Sequence, residues 1–167
     1  MSNQMSRADA IKKLGQLIDK IEIAMLTTAE SDGTLRSRPM ATQQVEFDGD
    51  LWFFVGASSP KAQEIRRDPR VNVSYAKPDD QRYVSISGSG ELVRDRQKMQ
   101  ELWSLVYKIW FKDGLDDPDL ALLKVRVEQA EYWDAPSSKF VQLAGFVKAL
   151  ATGDDSSLGE NEKIALA

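Results

Sequence analysis

The chain contains no cysteine and no histidine. The first absence removes disulfides and thiol nucleophiles, and the two together remove zinc sites of the usual Cys/His kind. Ser-His-Asp and Cys-His mechanisms are excluded with them. Any redox chemistry must then borrow its reactive group from a cofactor. No apolar run approaches the ~20 residues of a membrane-spanning helix. The N-terminal Met1-Ser2-Asn3-Gln4-Met5-Ser6 lacks the basic start and apolar stretch of a secretory signal, so a cytoplasmic address with no membrane partner is expected. An excess of basic charge is also missing. With a formal net charge of −4 and a pI near 5.0, the chain is not expected to bind nucleic acid, and anion binding must come from local clusters.

What is present describes a globular protein. Its 167 residues, 42% hydrophobic and 29% charged, suffice for one domain with a substantial core. Residues 6–21 read as an amphipathic helix capped by Ser6, with Ala8, Ile11, Leu14, Leu17, Ile18 and Ile21 on one stripe. Buried or alternating runs predict strands over 23–28, 35–47, 51–55, 71–75, 82–93 and 123–133, with turns at Asp32-Gly33 and Asp48-Gly49. Helices are expected over 60–67, after the N-cap Asp95, and over 137–150. Gly88 and Gly90 suggest a bend or bulge, as at a barrel corner. The expected fold is mainly β, a six-stranded antiparallel barrel with peripheral helices. Residues 1–150 form the single domain of this reading, and the Gly-, Ser-, Asp- and Glu-rich segment 151–167 a mobile tail.

Two segments carry most of the chemistry. On a strand, Arg36, Arg38 and Met40 share one face while Ser37 and Pro39 take the other. Pro39 has no N–H and interrupts the ladder, leaving nearby backbone groups available to a planar ligand. The same strand reads equally well as an edge protected by arginines and a proline. Ser58-Ser59-Pro60-Lys61 then places an N-cap serine, a proline at the first helical position and a lysine just inside, a recipe for holding a phosphate. Such capped helices are common without ligands; proximity to Arg38 raises the significance of this one. Among the tryptophans, Trp52 and Trp103 lie on apolar faces, whereas Trp110 and Trp133 sit at element ends where they could meet a ligand. Asp116, Asp117 and Asp119 are explained by capping around Pro118, and no metal is assigned.

In order and spacing these motifs resemble the pyridoxamine 5′-phosphate oxidase-like split β-barrels that bind FMN, and among them the bacterial general stress proteins. The likeness runs from about residue 8 to residue 136. It rests on Arg36-Ser37-Arg38-Pro39-Met40, Leu51-Trp52-Phe53-Phe54 leading to Ser59-Pro60-Lys61, Asp68-Pro69-Arg70-Val71-Asn72-Val73, and Glu131-Tyr132-Trp133. The resemblance implies that Arg38, Ser59 and Lys61 hold the flavin phosphate and that Pro39, Met40 and Gln43 run along the ring. It further implies that Phe54 and Val55 flank the cofactor, and that Trp133 reaches the flavin of a partner subunit in a homodimer.

True pyridoxamine-phosphate oxidases follow the terminal tryptophan with Arg-x-His, which holds substrate. Here Lys139 is the one candidate for the arginine, and no histidine exists, so vitamin B6 oxidation is not expected. The expected function is an FMN-dependent oxidoreductase with catalytic residues unassigned, FAD or a deazaflavin being open alternatives. Arg36 is the candidate cation near the ring. A flavin-binding stress sensor or buffer without turnover is the alternative. An oligonucleotide-binding barrel that stacks bases on Phe47, Trp52, Phe53, Phe54 and Tyr83 is opposed by the acidic charge.

Overall fold

The structure is a computed structural model describing residues 5–135, 150–151 and 160–166. The chain opens with helix α1 (Arg7–Ile18), whose cap Ser6 accepts from the Asp9 N–H at 3.1 Å and donates to the Asp9 carboxylate at 2.6 Å. Leu14 and Leu17 of the expected stripe are buried against the barrel, with Ile11 and Ile18 packed beside them, but Ala10 rather than the exposed Ala8 completes the buried face. Strands β1 (Ile23–Ala29), β2 (Leu35–Ala41) and β3 (Asp50–Gly56) precede helix α2 (Pro60–Arg67). Then come β4 (Arg70–Lys77), β5 (Arg82–Val93), helix α3 (Arg96–Leu102) and the long β6 (Leu120–Asp134). All pairings are antiparallel, in the order β2-β1-β4-β5-β6-β3. This is the curled split barrel with peripheral helices that the sequence predicts.

Alternation on the strands separates two apolar clusters. Leu26, Phe53, Val55, Val73, Ile86, Leu123 and Val125 fill the barrel. Phe54 points the other way, and with Met99, Leu102, Tyr107, Leu120 and Leu122 forms a second cluster beneath α3. At Gly88 the β5–β6 register shifts, and a Cβ there would lie 2.2 Å from the Arg126 carbonyl oxygen. Only glycine permits that approach.

Several boundaries differ from expectation. β2 stops at Ala41 rather than running to Phe47, because the Thr42 hydroxyl donates to the Ile21 carbonyl at 2.6 Å and the Thr42 N–H to that of Glu22. The chain turns there and carries Phe47 onto α1, where its Cβ lies 3.4 Å from the position a Gly15 Cβ would take. Within the segment expected to be a mobile tail, Glu160–Ala165 form a seventh strand, β7, paired with the C-terminal half of β6. It occupies the edge of β6 that β3 leaves uncovered, burying Ile164 and Leu166. Of the strand only Ile164 is buried, and the polar run 160–163 carries no alternating apolar pattern that would announce it. The helix expected over 137–150, apart from helical Leu150, lies outside the described residues, as does Lys139.

Candidate functional site

The predicted phosphate-holding segments do meet, through a contact the sequence did not disclose. β2 brings Arg38 to the inner rim of the barrel, beside β1 and α2. Its Nη2 donates to the Glu64 carboxylate at 2.8 Å and its Nη1 to the Thr28 hydroxyl at 2.5 Å. Thr28 in turn donates to the same Glu64 oxygen at 2.6 Å. Both charged side chains are largely sealed from solvent, at 13% and 9% exposure for Arg38 and Glu64. Burial alone would push the Glu64 carboxyl up. The Thr28 hydrogen bond and the Arg38 guanidinium, with a smaller contribution from Arg36, outweigh it and hold Glu64 below the ordinary range.

Lys61 stands three residues before Glu64, in the first turn of α2. Burial lowers the pKa of its ammonium, and the charges of Arg38 and Arg36 lower it further against a partial offset from Glu64. Among the described residues no carboxylate lies in ion-pair contact with Lys61, whereas Arg36 has Glu30 at 3.6 Å. The rim therefore concentrates three cations, Arg36 and Arg38 paired with Glu30 and Glu64, and Lys61 in ion-pair contact with no carboxylate among the described residues. Such a spot stabilises an arriving anion.

The turn before α2 is shaped by a carboxylate that was expected to cap around Pro118. Asp119, at the start of β6, accepts from the Ser58 N–H and the Ser58 hydroxyl, both at 2.9 Å. Ser59 is the N-cap, as expected: its hydroxyl accepts from the Ala62 N–H at 3.4 Å and donates to the Gly56 carbonyl at 2.6 Å. Its own proton is thus committed to the loop. Asp117 accepts from the Asp119 N–H and Asp116 pairs with Arg96, so the three carboxylates serve three different places and cap no α-helix.

The remaining candidates are dispersed. Pro39 lies on the outer sheet face opposite Met25, while Met40 is buried inside. Gln43 donates to the Tyr107 hydroxyl at 2.8 Å, which links the end of β2 to the cluster under α3. The side chains of Phe54 and Val55 are spent on the two cores. Trp133 is far from the cation cluster within one chain. It sits on the outer face of β6, across from the exposed Tyr83, and three strands separate β6 from β2. Of the other tryptophans, Trp103 packs against Phe54 at 5.5 Å, and Trp52 is half-buried beneath the ammonium groups of Lys98 and Lys124. Thr28, Glu64 and Tyr107 were not anticipated as site residues, and Asp119 was expected to cap around Pro118 rather than to hold the Ser58 turn. The sole sequence signal for Glu64 was its place on the inward face of α2 beside Ile65.

A family model described as "Pyridoxamine 5′-phosphate oxidase like" matches residues 9–157. The chain belongs to this family. Its relatives include the protein bli-3 of Neurospora crassa, 26% identical over 93% of this chain and 79% of that protein. General stress protein 26 of Bacillus subtilis is 24% identical over 83% of this chain and 99% of its own length. Among solved structures, a general stress FMN/FAD binding protein from Xanthomonas citri is 26% identical, with a TM-score of 0.67 over 78% of this chain and 92% of that one. The fold is matched still more fully by a general stress protein 26 structure from Jannaschia sp. CCS1, at TM-score 0.76 and 24% identity over 95% of this chain and 99% of that one. Among the described residues no helix is long and apolar enough to cross a membrane.

Proposed function

We propose that this protein binds FMN at a site completed by a second copy of the chain, and that it acts as a flavin-dependent oxidoreductase in the cytoplasm. The observation carrying the reading is the Lys61 ammonium, half-buried beside two guanidinium groups and in ion-pair contact with no carboxylate among the described residues. A phosphate dianion supplies the missing counter-charge. Lys61 and Arg38 would hold it with the first turn of α2, whose leading N–H groups lack helical partners. FAD or a deazaflavin presents a phosphate to the same cations.

Pro39, Met40 and Gln43 would line the ring on one side, with Phe54 and Val55 contributing backbone behind them, and Trp133 of a second copy would approach from the other. The outer sheet face supports this arrangement: Leu35, Ile23, Met25, Tyr83 and Trp133 are exposed there among small residues such as Ser37, Ser74 and Ser85. A bound flavin supplies the electron or hydride transfer that no side chain of this cysteine- and histidine-free protein offers. The Xanthomonas citri relative, named for FMN/FAD binding, supports the cofactor class. Lack of histidine argues against pyridoxamine phosphate as substrate.

The visible absorbance spectrum of the purified protein, followed by FMN titration, tests the reading. Lys61→Met should weaken FMN binding roughly ten- to a hundredfold, the worth of a charge-assisted hydrogen bond. It should leave stability unchanged or slightly raised, because a cation under repulsion is removed. Colourless protein that ignores added FMN would overturn the proposal. A flavin-binding sensor or buffer without turnover is a second reading, favoured because the buried carboxylate of the cluster, Glu64, is locked in its ion pair. NAD(P)H-driven reduction across an acceptor panel separates the two.

A further inference from the structure

At one end of the barrel, α1 and the segment from Thr42 to Phe53 line a half-open cavity of about 690 Å³. That is the size of a small-molecule site. Ile11, Phe47, Leu51 and Phe53 supply apolar wall, and Tyr75 reaches it from the inner face of β4. Tyr75 is only 4% exposed, and its hydroxyl has no hydrogen-bond partner among the described residues. No fully buried side-chain polar atom among them lacks a partner, so this hydroxyl is not sealed in and opens on the cavity. A buried tyrosine ordinarily satisfies its O–H within the protein. Here that group is left for whatever occupies the space.

We propose that this cavity is a second binding site, for an uncharged, largely aromatic molecule bearing a carbonyl oxygen. The apolar walls call for the aromatic body. Tyr75 calls for the acceptor: burial raises the pKa of its phenol, which therefore keeps its proton and donates. The polar lining disfavours an anion. Asp19, Glu46 and Asp50 outnumber exposed Lys12, and among the described residues only Asp50 of the three is ion-paired, to Lys124 at 3.6 Å. This preference is opposite to that of the Lys61 cluster, and Gln43 is the one flavin candidate that borders both.

The test is calorimetric titration of the full-length protein, with and without FMN, using 1-acetylnaphthalene, 1-ethylnaphthalene and 1-naphthoate. The ketone should bind roughly three- to tenfold more tightly than the ethyl compound, the range of one neutral hydrogen bond. The carboxylate should bind most weakly. Tyr75→Phe should erase the ketone's advantage and leave the ethyl compound unaffected, while Lys61→Met should change neither, which separates this site from the flavin reading. If Tyr75→Phe fails to fold, methyl NMR of the unaltered protein decides: the ketone must shift Ile11 and Leu51. Failure of the ketone to saturate the protein, equal affinity for the ketone and ethyl compounds, or shifts confined to other methyls would overturn the proposal.

Discussion

Truncating Glu64 should be among the most destabilising single changes at the barrel rim. Its Oε2 accepts from Thr28 at 2.6 Å and from Arg38 at 2.8 Å, with 9% of the side chain exposed. Glu64→Ala leaves the Arg38 guanidinium enclosed without its counter-charge and Thr28 without its acceptor. Breaking a buried pair in this one-sided way costs about 3–5 kcal/mol. Followed by tryptophan fluorescence in urea, such a loss moves the midpoint down by roughly 2 M at a typical dependence of about 2 kcal/mol per molar. The double variant Arg38→Met/Glu64→Leu should recover much of it, since apolar replacement of both partners removes the unpaired charge. Acid supplies an independent axis. Glu64 titrates below its ordinary value of 4.5, so its contribution is complete above that pH and is lost as pH falls through the lower, folded value. The stability gap between the parent and Glu64→Gln should therefore narrow as pH falls below 4.5. A Glu64→Ala cost under about 1 kcal/mol, or a double variant as unstable as the summed singles, would refute the assignment.

Gly88→Ala should cost about 3 kcal/mol, because its Cβ meets a backbone oxygen at 2.2 Å, whereas Gly90→Ala meets the yielding side chains of Ile65 and Leu123 and should cost about 1 kcal/mol; urea melts of both variants compare them. Truncation after residue 159 removes β7 and the burial of Ile164 and Leu166, and should lower stability by about 3–6 kcal/mol in the same assay. Asp68 accepts from Arg70 at 2.7 and 2.9 Å and titrates at about 2; in carboxyl NMR, Arg70→Ala should return it toward the ordinary aspartate range.

The strand count through β6, the helices after β3 and β5, and the glycine bulge at Gly88 were all legible in order of residues. Each depends on a period, a cap or a turn preference acting over a few neighbours. The N-cap role of Ser59 and the shared face of Arg36, Arg38 and Met40 are of the same local kind. The end of β2 was not legible. It is set by Thr42 reaching back to Ile21, 21 positions earlier in sequence and brought beside it by the pairing of β1 with β2. β7 escaped because its burial is conferred by a vacancy on the edge of β6, not by its own composition.

The character of the site shows the same division. Sequence alone placed cations on one strand face and a phosphate-ready helix start twenty-odd residues later, and by lacking cysteine and histidine it assigned the chemistry to a cofactor. Tertiary structure decided how the cations are used. Arg38 turns inward to Glu64 and Thr28, contacts that join residues 26 and 10 positions apart, while Lys61 has no partner carboxylate among the described residues. Periodicity can assign a side chain to a face, but the balance of charge across that face depends on which distant elements pack against it, and only folding brings those elements together.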